Sequence, residues 1–272
     1  MFSVSFHQFA AASILDSNSC KSPTQHLFMP AVEQMTHWKN RLEMLAPPLP
    51  WDKSHSNDSP GPRVILLHGL WRGWHAMEPL ARELYRAGFS TLNIPYPSGR
   101  LPINVLAERI RKEIERVDDG NPLHFITHSL GGIILRKLLA NEVSWKTGRI
   151  VMLAPPNGGS EIVDWAKAHP PLQRFLGPAG VALSSHGLPA QLPNIPNHIE
   201  TAVIMGNRSS IPLFRKLFPS ENDGIVSVQK GRLEGLRGFS VINADHTFIQ
   251  LHPETLQLII PFLKSGTWPQ EA

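Results

Sequence analysis

The sequence has little cysteine, with Cys20 as the single one among 272 residues. This excludes an intramolecular disulfide and a zinc site built from paired cysteines. No apolar run approaches the ~18 residues of a membrane-spanning helix, so stable membrane insertion is not expected. Basic residues are only slightly in excess, with a net charge of +4 and no long Lys/Arg run, so no nucleic-acid partner is expected.

Motifs for common cofactors are also missing. The chain has no G-x-x-x-x-G-K-S/T loop, no dinucleotide glycine pattern and no HExxH, so we predict neither a cofactor nor a metal. The segment from Met1 to Leu15 is moderately apolar but lacks the basic residues that open a secretion signal. We therefore expect a poorly ordered extension and a cytoplasmic protein.

The first 62 residues are predicted to form an N-terminal extension with one helix and a linker. Apolar residues recur at helical spacing between Ala31 and Ala46, and a group of prolines at 47, 48 and 50 ends the pattern. This helix is expected to pack on the main domain, and residues 54–62 are expected to form a polar loop.

Residues 63–265 alternate short β-branched runs with helical stretches. This pattern predicts an α/β fold with a mostly parallel sheet sandwiched by helices. The predicted strands are residues 63–67, 90–94, 123–127, 149–153, 201–205 and 239–243. The predicted helices are residues 75–87, 103–117, 130–140, 211–218 and 253–263.

Residues 155–196 interrupt this alternation. They are rich in proline and suggest only one weak helix, over residues 160–168. A long irregular segment inside a compact domain is usually functional. Its position after a predicted strand favours an irregular, lid-like insertion or a pocket wall.

The strongest chemical signal is a serine placed between a strand and a helix. The apolar run 123–127 leads through His128 to Ser129, and Leu130 with two glycines opens the next helix. A tight strand-to-helix turn exposes a serine hydroxyl at the carboxyl edge of the sheet. The segment resembles the nucleophile elbow of the α/β-hydrolases, although Thr127 stands where that family's first glycine is usual.

A second segment agrees with this resemblance. The apolar strand 63–67 is followed by His68 and Gly69, similar to the family's oxyanion loop. The resemblance implies an oxyanion hole formed by the backbone N–H groups of Leu70 and Leu130, with His68 shaping the loop. Residues 153–161 are similar to a segment of small bacterial lipase/esterase-like proteins, and their N–H groups either line the pocket floor or have no catalytic part.

In this family the nucleophile, the acid and the base follow one another along the chain. Asp223, in an Asp-Gly turn, is the predicted acid, and His246, just after the last predicted strand, is the predicted base. Glu221 is the main alternative acid. Asp245 is a poor candidate, because neighbouring side chains on an extended segment point apart.

The resemblance therefore implies a carboxylic ester hydrolase of the esterase or lipase type that uses Ser129, Asp223 and His246. Its partner would be a small-molecule or lipid ester. An acyltransferase or a thioesterase would use the same triad, and a non-catalytic binding module would keep the same fold. The sequence does not specify the physiological substrate, its acyl chain length, the oligomeric state or the role of residues 1–62.

Overall fold

The computed structural model describes residues 31–46, 49, 52–209, 218 and 220–269. The chain divides into two units, residues 1–37 and 38–272, and only the first half of one helix is described in the first unit. The strands are β1 (His55–Asn57), β2 (Arg63–Leu67), β3 (Ser90–Ile94), β4 (Leu123–His128), β5 (Thr147–Leu153), β6 (Thr201–Gly206) and β7 (Gly238–Ile242). The α-helices are α1 (Ala31–Met44), α2 (Glu78–Arg86), α3 (Ile103–Glu115), α4 (Leu130–Leu139), α5 (Glu161–Lys167), α6 (Pro170–Val181), α7 (Leu188–Gln191) and α8 (Pro253–Ser265).

The strands form one mostly parallel sheet in the order β1-β3-β2-β4-β5-β6-β7. Strands β2 to β7 pair in parallel, and β1 pairs antiparallel with β3 at one edge. All carboxyl ends of the parallel strands therefore lie along one edge of the sheet, and all amino ends lie along the opposite edge. This confirms the predicted fold class.

Alternating side chains on each strand bury two separate apolar layers. On β2, Ile65 and Leu67 belong to the layer that packs against α3 and α4. Val64 and Leu66 belong to the other layer, which packs against α2 and α8. Because both faces are covered, the central strands are mostly apolar, which is why the sequence pattern predicts them.

The structure differs from the sequence-based expectation at the first edge of the sheet. Residues 54–62, predicted as a polar loop, contain the short strand β1. Its residues are polar because an edge strand of three residues is only partly buried, so it carries no apolar alternation. In the second half of α1, from Trp38 onward, the Glu43 carboxylate accepts hydrogen bonds from Arg82 of α2 at 3.0 and 2.9 Å.

The insertion also differs from the expectation. The weak helix predicted over residues 160–168 corresponds to α5, but the rest of residues 155–196, expected to be irregular, contains α6 and α7. Proline stands in the first turn of α6 and of α7, where its missing N–H costs no helical hydrogen bond. These prolines therefore start helices, although a proline-rich stretch in a sequence usually indicates irregular structure. The helix predicted over residues 211–218 lies almost wholly outside the described residues.

Candidate active site

Strained backbone is concentrated at the carboxyl edge of the sheet. Among the described residues other than glycine, three have φ in the left-handed region: Trp71 at 58°, Ser129 at 50° and Ala154 at 48°. Ser129 and Ala154 directly follow β4 and β5, and Trp71 follows β2 by a few residues. Such conformations persist only where the surroundings hold them, and they cluster at functional sites.

Ser129 occupies the tight turn that its sequence context predicts. Its φ of 50° and ψ of −118° turn the chain from β4 directly into α4. Gly131 makes this turn possible, because a Cβ there would lie 2.6 Å from the carbonyl oxygen of Leu67. Thr127, in place of the usual glycine, is accommodated beside Gly132, where a Cβ would lie 3.3 Å from the Thr127 hydroxyl oxygen.

The structure brings the three predicted side chains into one hydrogen-bonded row. The hydroxyl oxygen of Ser129 lies 3.0 Å from Nε2 of His246. On the other side of the ring, Nδ1 of His246 lies 2.7 Å from Oδ2 of Asp223. With Nδ1–H donating to the carboxylate, Nε2 is free to accept the serine proton. The row can therefore draw a proton from the hydroxyl and stabilise the charge that forms on the imidazole.

The Asp223 carboxylate is fixed by its own turn. Its side chain is fully buried, and Oδ1 accepts hydrogen bonds from the backbone N–H groups of Ile225 at 2.9 Å and Val226 at 2.8 Å. Oδ2 is thereby left for His246. Glu221, the alternative acid, is exposed and accepts a hydrogen bond from Asn207 at 2.8 Å.

Asp245 has a local structural task. Its Oδ1 accepts hydrogen bonds from the N–H groups of Thr247 at 2.9 Å and Phe248 at 3.1 Å. These bonds shape the turn that carries His246, so Asp245 supports the loop and the orienting carboxylate is that of Asp223.

A second buried histidine, His128, to which the sequence pattern assigns no role, holds this loop. Nε2 of His128 donates to the backbone carbonyl of His246 at 2.8 Å. Burial and the neighbouring imidazole of His246 lower the pKa of His128 well below its usual value, so its ring is neutral. His128 thus ties the strand that carries the serine to the loop that carries the imidazole. The sequence signal was its position next to Ser129 at the end of a strand.

His68 shapes the loop after β2, as the resemblance implied. It is fully buried, its ring stacks on Tyr96 with 3.8 Å between centroids, and its Nε2 accepts the Tyr96 backbone N–H at 3.2 Å. Nδ1 then donates to the carbonyl of Gly69 at 2.9 Å. Burial lowers the pKa of His68 to about 4, so it supplies packing and fixed hydrogen bonds at neutral pH.

The two backbone groups predicted as oxyanion donors are available. Neither the N–H of Leu70 nor that of Leu130 finds an acceptor within the part of the chain that the structure describes. Leu130 is the first residue of α4, so its N–H lies at the positive end of the helix dipole. Both groups can therefore receive an acceptor from a bound molecule.

The backbone N–H groups of the turn after β5 are already hydrogen-bonded within the protein. Those of Asn157, Gly158, Gly159 and Ser160 all donate to backbone carbonyls, at 2.7 to 2.9 Å. Of the two interpretations left open by the sequence, this favours a loop that is fixed in place and offers no donor to a substrate. Arg136 adds to its rigidity by donating to the carbonyl of Asn157 at 3.0 Å.

Helix α6 lies against the loop after β2. A Cβ at Gly180 would lie 2.9 Å from a terminal methyl carbon of Leu70. The ring of Trp71 stacks on that of Phe175, with 5.3 Å between centroids and both rings substantially exposed. An apolar, partly exposed surface therefore adjoins the candidate oxyanion loop.

The described residues were also searched for a membrane-spanning helix and for a metal site. No helix in them has the length and apolar character needed to cross a bilayer. They also hold no group of three or more His, Cys, Asp or Glu side chains arranged to bind a metal ion.

Solved structures share this fold. The mature form of lipase BlEst2 from Bacillus licheniformis aligns with a TM-score of 0.63 and 20% identity, covering 77% of this chain and 97% of that one. The propeptide form of the same lipase aligns with a TM-score of 0.68 and 20% identity, covering 80% of this chain. This chain spans only 55% of the length of that propeptide form. The metagenomic carboxyl esterase MGS0156 aligns with a TM-score of 0.54 and 19% identity, covering 73% of this chain and 67% of that one.

A search of curated protein sequences gave no significant match. A family model described as "Alpha/beta hydrolase family" matches residues 64–256, which is well over half of the chain and spans β2 to the start of α8. The matched range includes Ser129, Asp223 and His246. The chain therefore belongs to the alpha/beta hydrolase family.

Proposed function

We propose that this protein is a serine hydrolase that cleaves carboxylic esters through an acyl-enzyme on Ser129. The observation that carries the proposal is the row from the Ser129 hydroxyl through His246 to Asp223, with contacts of 3.0 and 2.7 Å. A serine hydroxyl is a weak nucleophile near neutral pH and needs such a base with its orienting carboxylate.

The reaction proceeds in two acyl-transfer steps. Nε2 of His246 accepts the proton as Ser129 Oγ attacks the ester carbonyl, and Asp223 stabilises the imidazolium. His246 then gives that proton to the leaving alcohol, which leaves an acyl group on Ser129. Water repeats the sequence, with His246 again as the base, and releases the carboxylic acid.

The developing oxyanion accepts hydrogen bonds from the N–H groups of Leu70 and Leu130. Their lack of an acceptor among the described residues supports this role. One such donor is worth on the order of 3 kcal/mol in the barrier. No metal or cofactor takes part in this sequence of steps.

The acyl group lies against the apolar surface formed by α6 and the loop after β2. The exposed rings of Trp71 and Phe175 and the contact of Leu70 with α6 support this assignment. An apolar wall beside the oxyanion donors suits the hydrocarbon part of a small or lipid ester. In this view residues 155–196 act as a pocket wall or lid.

The ester class is inferred from the fold shared with a lipase and a carboxyl esterase. A triad by itself would also suit thioesters or transfer of the acyl group to another alcohol. The substrate class therefore needs its own test, separate from the test of the nucleophile.

A fluorophosphonate probe tests the nucleophile. We expect stoichiometric labelling of the native protein, complete loss in Ser129→Ala and full labelling in Ser98→Ala. Ser98 is an equally buried serine whose hydroxyl has no partner among the described residues, so it is the matched control. Absence of labelling in the native protein would favour a non-catalytic binding module.

A panel of p-nitrophenyl esters of increasing acyl length tests the substrate class. Hydrolysis that depends on Ser129 is the expected result, and the preferred length reports the depth of the apolar pocket. Added alcohols and acyl-coenzyme A thioesters are included as competitors. If an added alcohol captures most of the acyl group, or if thioesters are much faster than esters, the ester hydrolase assignment is overturned.

A further inference from the structure

A cleft of about 860 Å³ lies at the amino ends of the parallel strands, on the opposite edge of the sheet from Ser129. Residues around the starts of β2 to β5 line it, together with the end of α8. None of Ser129, Asp223 or His246 belongs to its lining. Its volume is in the range of pockets that hold small organic molecules.

The cleft holds a histidine whose second nitrogen lacks a partner. His124 is only 8% exposed. Its Nδ1 accepts the backbone N–H of Arg149 at 2.8 Å, so the ring proton is on Nε2. The only hydrogen bond that the His124 ring makes to a described residue is this one on Nδ1, and the residue lines the cleft. A buried ring with one nitrogen fixed and the other open to a cleft is a preoriented hydrogen-bond donor.

The backbone makes room for this ring. A Cβ at Gly148 would lie 2.7 Å from Nδ1 of His124, so a larger residue would displace the imidazole. Burial, together with the charge of Arg149, lowers the pKa of His124 to about 4. The ring is therefore neutral at physiological pH and donates one hydrogen bond in a fixed direction.

Two arginines in the cleft are held in place by the protein. The guanidinium of Arg63 donates to the carbonyl of Val117 at 2.7 Å, and that of Arg149 donates to the carbonyl of Leu263 at 3.0 Å. Each of the two guanidinium groups has further N–H groups that donate to no described residue. Lys264 also lines the cleft and forms no ion pair with any described residue.

The acidic residues of the cleft do not balance these donors. The Glu200 carboxylate pairs with Arg149 at 2.7 Å and with Arg237 at 4.0 Å. The Asp119 carboxylate accepts the N–H of Asn121 at 3.0 Å in its own turn, and its pKa is lowered by this bond. Donor groups are left in surplus, since neither Lys264 nor Arg63 pairs with a carboxylate in the described part of the chain.

We propose that this cleft binds a small organic carboxylate, with His124 Nε2–H and the Lys264 ammonium as its main donors. The three cations that line the cleft (Arg63, Arg149, Lys264) exceed its two carboxylates (Asp119, Glu200) by one positive charge, which a single carboxylate shared over two oxygens balances. A phosphate with nearly two negative charges would exceed this surplus of one positive charge in the presence of Asp119 and Glu200. The prolines 60, 62 and 122 line the cleft and supply apolar surface for the rest of the molecule.

Calorimetric titration of the full chain with sodium benzoate at constant ionic strength tests this site. We expect one saturable binding event, weakened about tenfold or more in Lys264→Met and in His124→Asn, since each removes one donor to a charged group. Asn at 124 keeps an acceptor for the Arg149 N–H but no longer reaches the cleft. Lys112→Met, an exposed lysine outside this cleft, is the matched control and should bind as the native protein does.

Benzoate is also a product analogue for the proposed hydrolase, so the titration is repeated after fluorophosphonate labelling of Ser129. Binding that survives labelling and is lost in Lys264→Met supports the site, whatever the activity proves to be. Binding lost on labelling and retained in Lys264→Met would overturn it.

Two further titrations use inorganic phosphate and benzyl alcohol as the ligand in place of benzoate. Tighter binding of phosphate than of benzoate would overturn the carboxylate assignment, and equal binding of the neutral alcohol would show that the donors have no part. Equal weakening in Lys112→Met and Lys264→Met would reduce the effect to net charge, which also contradicts the proposal. If His124→Asn fails to fold, benzoate binding to Lys264→Met alone tests the proposal.

Discussion

Buried neutral histidines should make this fold sensitive to mild acid. His68 is fully buried, and its pKa falls from 6.5 to about 4 because burial disfavours the charged ring. The unfolded chain binds a proton at this residue below about pH 6.5, whereas the folded chain does not bind it until about pH 4. The stabilising contribution is therefore present above pH 6.5 and is lost as the pH falls towards 4.

The size of the effect follows from these two pKa values. Between pH 7 and pH 5, linkage gives a loss of about 2 kcal/mol in the free energy of unfolding for His68. The pKa of His124 is lowered to the same value and adds about 2 kcal/mol more. His128 changes the stability in the same direction. A total near 4 kcal/mol is a large part of the usual ~5–15 kcal/mol of a folded domain.

Urea denaturation at pH 7 and pH 5, with fixed salt, measures this difference. His68→Gln and His124→Asn should each reduce the pH-dependent loss by about 2 kcal/mol, because neither replacement titrates in this range. His198→Asn changes an exposed histidine and should leave the full loss in place. An unchanged difference in both buried-site variants would refute burial of neutral imidazoles as its cause.

Three further predictions concern the site. Gly131→Ala should destabilise the fold by about 2 kcal/mol or more, measured by urea denaturation, because the new Cβ would lie 2.6 Å from the Leu67 carbonyl oxygen. Asp223→Asn should lower kcat by about 10³- to 10⁴-fold, with Glu221→Gln unaffected, in steady-state ester hydrolysis. His128→Leu should lower kcat while KM stays near its native value, because the His246 carbonyl loses its 2.8 Å donor, and His128→Gln should restore part of the rate.

The regular part of the fold was predictable because both faces of the sheet are buried. The predicted strand at residues 63–67 coincides with β2, and the others agree within two residues at either end. Continuous apolar runs of this kind are what a sheet covered on both faces requires. β1 could not be predicted in the same way, since an edge strand of three polar residues has no such pattern.

The three residues of the row were predictable because each has a local signature, a serine between strand and helix, an Asp-Gly turn and a histidine after a strand. The residues that hold these three in position could not be predicted from the sequence. His128 acts across 118 positions of sequence on the carbonyl of His246, and Tyr96 stacks on His68 across 28. Such contacts depend on which strands are neighbours in the sheet, which a local pattern does not encode.

The strain at Ser129 leads to a last prediction that separates stability from chemistry. A φ of 50° with ψ of −118° is costly for serine by about 1–3 kcal/mol, but glycine adopts it freely. Replacing Ser129 by either alanine or glycine removes the hydroxyl and its bond to His246, so the two variants differ only in the Cβ methyl group and in the backbone freedom that glycine gains without it. The backbone freedom that glycine adds to the unfolded chain offsets about 0.5–1 kcal/mol of the relief.

Ser129→Gly should therefore unfold with a free energy about 1 kcal/mol higher than Ser129→Ala, while both are inactive. Thermal and urea denaturation of the pair at pH 7 provide the comparison. The backbone N–H of Ser129 stays bound to the Leu153 carbonyl, 2.9 Å away, in either variant, so this ladder contact does not enter the difference. If the glycine variant proves equal to or weaker than the alanine variant, the turn is not strained, and the conformation of the serine costs the fold nothing.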